Sequence, residues 1–175
     1  EYSKVPSVAM NQYRNAFGRR DTARFVEFNK AVLEGKDKVN ASVLFPYQLF
    51  QALQNSQDET AVEAQWKSLP NYMEGSSERI LPVCDVSGSM YGLPMDVSVS
   101  LGLYIAERNE GAFRNAFMTF SERPAMNVIQ GETLADKLRS VHDADWGYNT
   151  NLVATFNLLL ESALRENVSA DDMPT

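Results

Sequence analysis

The sequence predicts an α/β fold preceded by an all-helical region, and three observations carry that reading. From about residue 6 to residue 73, apolar residues recur at helical spacing. From residue 79, short apolar runs alternate with helical ones, the layer pattern of a sheet covered on both faces. Between the two, Glu74-Gly75-Ser76-Ser77 marks a polar break in composition. The expected organisation is an α-helical region over 1–74, a linker at 75–78 and an α/β domain over 79–175. A chain of 175 residues has room for one ordinary domain with a helical arm.

The elements follow in order. Val8, Tyr13 and Phe17 predict a first helix, with Gly18 as its C-terminal cap. Asp21 is placed to cap a second helix carrying Phe25, Phe28, Val32 and Leu33, stopped at Gly35. Pro46 opens a third around Leu49, Phe50 and Leu53. Asp58 or Thr60 opens a fourth with Val62, Trp66 and Leu69, ended by Pro70. Ile80 to Cys84 is an apolar run followed by turn residues, which predicts a strand buried on both faces. Leu93 to Asn109 is apolar on nearly all sides and predicts a buried helix. Phe117–Phe120 and Met126–Ile129 read as a hairpin joined by Ser121–Pro124. Helical patterns over Thr133–Val141 and Leu152–Glu166 complete the set, and no fixed-period repeat is present.

Composition bounds the function. Hydrophobic residues make up 44% and charged ones 22%, which excludes a disordered tail, a fibre and a disulfide scaffold. The lone Cys84 fits a reducing, intracellular setting, cytoplasmic or inside a virion. Leu93 to Ala106 is too short and too polar to span a bilayer, and no membrane association is expected. No basic and apolar leader opens the chain. A start at Glu1 and a stop just after a helical pattern read as a piece of a longer chain or assembly.

The net charge of −7 argues against a general nucleic-acid binder, but it is unevenly spread. Residues 1–38 hold eight basic side chains against five acidic ones. That arm is either a solvated face complementing an acidic body or a surface that touches RNA.

The chemistry concentrates after the first strand, in Asp85-Val86-Ser87-Gly88-Ser89-Met90. Ligands of open α/β sheets sit at the carboxyl ends of the strands, where Asp85 is expected to stand. Ser87 and Ser89 follow at alternate positions, and Gly88 permits a tight fold between them. One carboxylate and two hydroxyls are hard oxygen donors suited to Mg²⁺ or Mn²⁺, with Ca²⁺ a poorer fit. The same residues also make an ordinary turn and helix cap. A second polar loop, Trp146-Gly147-Tyr148-Asn149-Thr150-Asn151, precedes the last helix and offers the Thr150 hydroxyl or a plain helix cap.

With both loops in view, the chain resembles the von Willebrand factor type A (vWA) domains. Asp85-Val86-Ser87-Gly88-Ser89-Met90 is similar to the D-x-S-G-S-M form of their metal-ion-dependent adhesion site. The resemblance implies a Rossmann-like sheet, apparently truncated, and metal coordination by Asp85, Ser87, Ser89 and Thr150. The family's third loop supplies an Asp after a further parallel strand, which would lie beyond Thr175. A narrower likeness to Ro/TROVE-related cellular and viral proteins rests on Leu81–Met90, Leu101-Gly102-Leu103 and Asn149-Thr150-Asn151. It implies a helical region ahead of the vWA domain and a role in an RNA-containing assembly.

A cation held mainly by hydroxyls keeps an open position for an anionic oxygen, so the expected partner is a protein offering an Asp or Glu carboxylate. That is binding, not catalysis. An aspartyl-phosphate phosphatase would want a second carboxylate where Ser87 stands and a Lys from a later loop, and Lys137 is a poor candidate. A serine hydrolase lacks its elbow motif, and His142 is the sole histidine. The remaining alternative is a structural subunit of a larger, for example viral, particle with a vestigial metal site.

Overall fold

The computed structural model describes residues 1–55, 58–76, 78–142 and 151–174, and these separate into two compact units. The first comprises Glu1–Pro70 with Thr133–Ala135, the second Asn71–Glu132 with Asp136–Thr175.

The first unit is built from α1 (Ser7–Arg20), α2 (Thr22–Leu33), α3 (Pro46–Gln54) and α4 (Glu59–Lys67). Gly18 does not end α1. The helix continues through it to Arg20 and breaks at Asp21, whose φ of −142° and ψ of 47° leave the helical region without a glycine. Asp21 stands at the N-cap of α2, yet its carboxylate accepts the Tyr2 hydroxyl at 2.8 Å instead of a helix N–H. Gly35, at φ +72°, turns the chain after α2 where a side chain would be strained. At α4 the cap forms as expected, Asp58 Oδ1 accepting the Ala61 N–H at 3.1 Å.

Phe25, Leu49, Val62 and Trp66 are wholly buried in this unit. The Tyr2 ring packs edge-on against Phe17 and Phe25 at 5.3 and 5.2 Å, which closes the core from the N-terminal side. All positions from Ala61 to Trp66 are buried, so α4 is enclosed all round. That enclosure takes in a carboxylate: Glu63 Oε2 accepts the Leu134 N–H at 2.7 Å, and Lys67 Nζ lies 3.5 Å from Oε1.

The second unit holds β1 (Val83–Asp85), α5 (Leu93–Arg108), β2 (Ala116–Phe120), β3 (Met126–Val128) and α7 (Leu152–Arg165). The helix α6 (Leu134–His142) begins among residues of the first unit and continues in the second. The sheet order is β1-β2-β3. β1 lies parallel to β2, with Asp85 opposite Phe120, and β2 lies antiparallel to β3, with Met118 opposite Met126. The expected hairpin is therefore present, and α5 is the crossover that lets β1 and β2 run parallel. The class is α/β with a mixed sheet.

Two expectations about burial need correction. β1 is shorter than the apolar run and shifted along it, pairing over 83–85, so Asp85 ends the strand instead of following it. Standing at the sheet edge, β1 buries Cys84 but leaves Val83 half exposed. The helix α5 is not buried on all sides. It packs on β1 and β2, with Val99, Leu103 and Ala106 buried, while Leu93, Val97 and Leu101 face solvent four residues apart. A helix with a packing partner on one side buries one face, whatever its other faces are made of.

Candidate metal site

The backbone leaves β1 at Asp85 and enters a short 3₁₀ turn at Gly88–Met90 before α5. Asp85 Oδ1 accepts the Ser87 N–H at 2.9 Å, which folds the loop back over the strand end. The Ser87 and Ser89 hydroxyl oxygens lie 3.0 Å apart. Ser87 is buried, Asp85 partly buried and Ser89 exposed, so the three oxygens run from the sheet end outward to solvent. The other Asp85 oxygen takes no part in this turn, which leaves one carboxylate oxygen and two convergent hydroxyls as donors.

In chemistry these residues suit a hard cation, one carboxylate beside two hydroxyls that are hydrogen-bonded to each other. Among the described residues, no group of three or more His, Cys, Asp or Glu is placed to hold a metal. A site here would therefore depend on its hydroxyls. Thr150, the fourth expected ligand, lies outside the described residues, as do Trp146 and the rest of that loop up to Thr150. Its C-terminal neighbour is described. The Asn151 N–H donates to the Ser121 carbonyl at 3.2 Å, immediately beyond β2. Asn151 Oδ1 accepts the Ala154 N–H at 3.0 Å, so Asn151 is the cap of α7. The start of α7 is thus fastened at the sheet end where Asp85 stands.

Ser121 was legible only as a turn residue between two strands. It is 1% exposed, and its hydroxyl has no hydrogen-bond partner among the described residues. It stands one residue past the register partner of Asp85, a pairing that is not written in the local pattern.

The other residues weighed for chemistry have structural roles. Lys137 Nζ pairs with Glu107 at 2.6 Å. Burial pushes the Cys84 thiol up to about 12, so it stays protonated in the strand. Of the methionines read as core filler, Met118 is fully buried, while Met90, Met95 and Met126 are partly so. In the basic arm, Arg14 is buried and donates to Gln65 Oε1. Lys4, Arg24 and Lys36 pair with Glu1, Asp21 and Glu34. Half of the eight cations of this arm are therefore engaged within the protein. No helix among the described residues is long and apolar enough to cross a membrane.

Comparison with known proteins places this geometry in a family. Residues 1–78 are similar to the family described as Domain of unknown function (DUF2828). An uncharacterised protein of Acanthamoeba polyphaga mimivirus is 31% identical over 189 residues, covering 99% of this chain and 33% of its own length. The chain therefore spans about a third of that relative. No solved structure matches. Residues 79–174 match the family described as Domain of unknown function (DUF7788). Because that match takes in β1, the Asp85 loop, the whole sheet and α7, and covers more than half of the sequence, the protein belongs to the DUF7788 family.

Proposed function

We propose that this protein is a divalent-cation-dependent binding module of the vWA kind. In it, Asp85, Ser87, Ser89 and Thr150 hold Mg²⁺ or Mn²⁺, and the cation captures a carboxylate from a protein partner. The observation that carries the reading is the folded Asp85 loop, with Ser87 N–H on the carboxylate and the two serine hydroxyls 3.0 Å apart at the end of the parallel strand. A turn that only capped α5 would place a side-chain oxygen on that helix. Here the residue at the α5 N-cap is Gly92, at φ 85°, and it has no side chain to offer. The Asp85–Ser87–Ser89 cluster thus caps no helix and is hydrogen-bonded only within its own loop. One carboxylate and neutral hydroxyls leave most of the cation's charge uncompensated, which favours an incoming anionic oxygen over water. Such capture needs no general base or nucleophile, so the module is proposed as a non-enzyme.

A second reading has an observation of its own. The exposed apolar rows on α5 and α7, beside an open β1 edge, suit a subunit of a larger assembly. The RNA-containing assembly implied by the Ro/TROVE likeness belongs with this reading.

A thermal melt with and without millimolar Mg²⁺ or Mn²⁺ tests the metal site. At 100 times its dissociation constant, a bound cation adds about 2.7 kcal/mol, a rise in Tm of several degrees. The wild type is expected to gain this and Asp85→Ala to lose it. An equal response in both, or none in either, removes the metal site and leaves the assembly reading.

A further inference from the structure

Tyr91 stands two residues beyond Ser89 and is 90% exposed. Its backbone is fixed all the same: the Tyr91 N–H donates to the Gly88 carbonyl at 3.3 Å, closing the 3₁₀ turn that carries Ser89. Consecutive Cα atoms lie about 3.8 Å apart, so the Tyr91 Cα is within about 8 Å of the Ser89 Cα by chain geometry alone. A group bound at the Asp85 loop therefore comes within reach of the ring. The rim around it is apolar. Leu93 is 52% exposed, and Pro94 and Val97 are exposed too. Between Val86 and Val97 the one charged side chain is Asp96. A single exposed leucine needs no explanation. A large aromatic left to solvent on a fixed turn is different, because such rings supply broad contact area at low entropic cost and dominate many interfaces.

We propose that Tyr91, with Leu93 beside it, sets the specificity of the capture site: the partner offers its carboxylate from an apolar segment, an Asp or Glu flanked by large apolar or aromatic side chains. The inference rests on the metal-site reading above and names the chemistry of the partner. The carboxylate meets the cation, and its neighbours in the partner lie against the Tyr91 ring and Leu93. Charge decides against an acid-rich segment as the occupant. The chain carries a net charge of −7 and the rim adds only Asp96, so carboxylates beyond the one on the cation would be repelled. Once that single ion contact is made, the rest of the affinity has to come from apolar contact. Tyr91 thus acts on the partner and not on the metal. Removing its ring weakens partner binding and leaves cation binding as it was.

The experiment selects random peptides displayed on phage against the full chain in millimolar Mn²⁺ and elutes them with a chelator. The recovered consensus peptide is then titrated against wild type, Asp85→Ala, Tyr91→Ala and Tyr91→Phe. Cation binding is followed separately by electron paramagnetic resonance of free Mn²⁺. The expected consensus is an Asp or Glu next to Leu, Ile, Phe or Trp. Tyr91→Ala should bind it at least tenfold more weakly, while Tyr91→Phe, which keeps the ring, retains most of the affinity. Both variants should bind Mn²⁺ as wild type does, and their metal-free Tm should not move, because the side chain is exposed. A consensus rich in acidic residues with no apolar neighbour overturns the proposal and leaves the cation site standing. Tyr91→Ala binding within twofold of wild type does the same, as does a chain that binds Mn²⁺ but yields no chelator-eluted peptide. If wild type binds no Mn²⁺, or Asp85→Ala binds it equally well, the site reading falls and this inference with it.

Discussion

The two units solve the same problem to different degrees. In the helical unit, helices enclose one another until α4 is buried on every side, and Trp66, Leu49 and Val62 are all but lost to solvent. In the α/β unit, each helix has one covered side. Leu152, Phe156, Leu160 and Leu164 form a row along α7 at four-residue spacing, each more than half exposed. Leu93, Val97 and Leu101 repeat the pattern on α5. Exposed apolar residues scattered singly need no explanation, but two rows on helices of one sheet do. The difference lies in the architecture. A helix cluster can close with four members, whereas the three strands among the described residues cover only one side of their flanking helices.

The sharpest way to break this comparison is to remove a large side chain from the enclosed unit. Trp66→Ala should cost about 3–5 kcal/mol, because a fully buried aromatic leaves a cavity that its neighbours only partly fill. Chemical denaturation of wild type and variant measures it. A loss under about 1 kcal/mol would mean that the helical unit is as loosely covered as the other.

Gly102 provides the matching test inside the α/β unit. It sits on the covered side of α5, and a Cβ there would run into the Cys84 Sγ, far inside van der Waals contact. In an exposed helix, Gly→Ala stabilises by about 1 kcal/mol. Here overpacking should outweigh that gain and destabilise by about 1–3 kcal/mol. Adding Cys84→Ala should recover most of the loss, since it removes the sulfur that the new methyl group meets. A double variant no better than the single one would show that β1 and α5 do not pack as closely as the register implies.

The same two units show what the sequence makes legible and what it does not. Local chemistry reads well. Asp58 as a cap, the Pro46 start of α3, the hairpin around Ser121–Pro124 and the turn after Asp85 all depend on neighbours within a few residues. Partnership across the chain reads poorly. Asp21 has the right position for a cap, but a tyrosine hydroxyl 19 residues away takes its carboxylate. Glu63, a charged residue on α4, is buried and accepts an N–H from Leu134, 71 residues away. Exposure fails for a related reason. An apolar row on α5 or α7 looks the same in sequence whether a neighbour covers it or not, so α5 reads as buried on all sides. The residues of the proposed metal site fall on the favourable side of this divide, because Asp85, Ser87 and Ser89 sit within one turn.

The smallest expected effect is also the one that separates the units most cleanly. Leu160 is 55% exposed, so replacing it with Lys removes little buried area and keeps a good helix former in α7. Stability of the chain should change by no more than about 0.5 kcal/mol, against about 2–5 kcal/mol for Leu49→Ala in the enclosed unit. Paired with Phe156→Lys, it places two charges in the middle of the exposed row. Sedimentation velocity over a tenfold range of concentration should then show less self-association than wild type, because a contiguous apolar row drives contact between molecules and charge opposes it. A loss of several kcal/mol from Leu160→Lys would show the row to be buried in solution. The α/β unit would then be closed as tightly as the helical one, and the contrast between them would disappear.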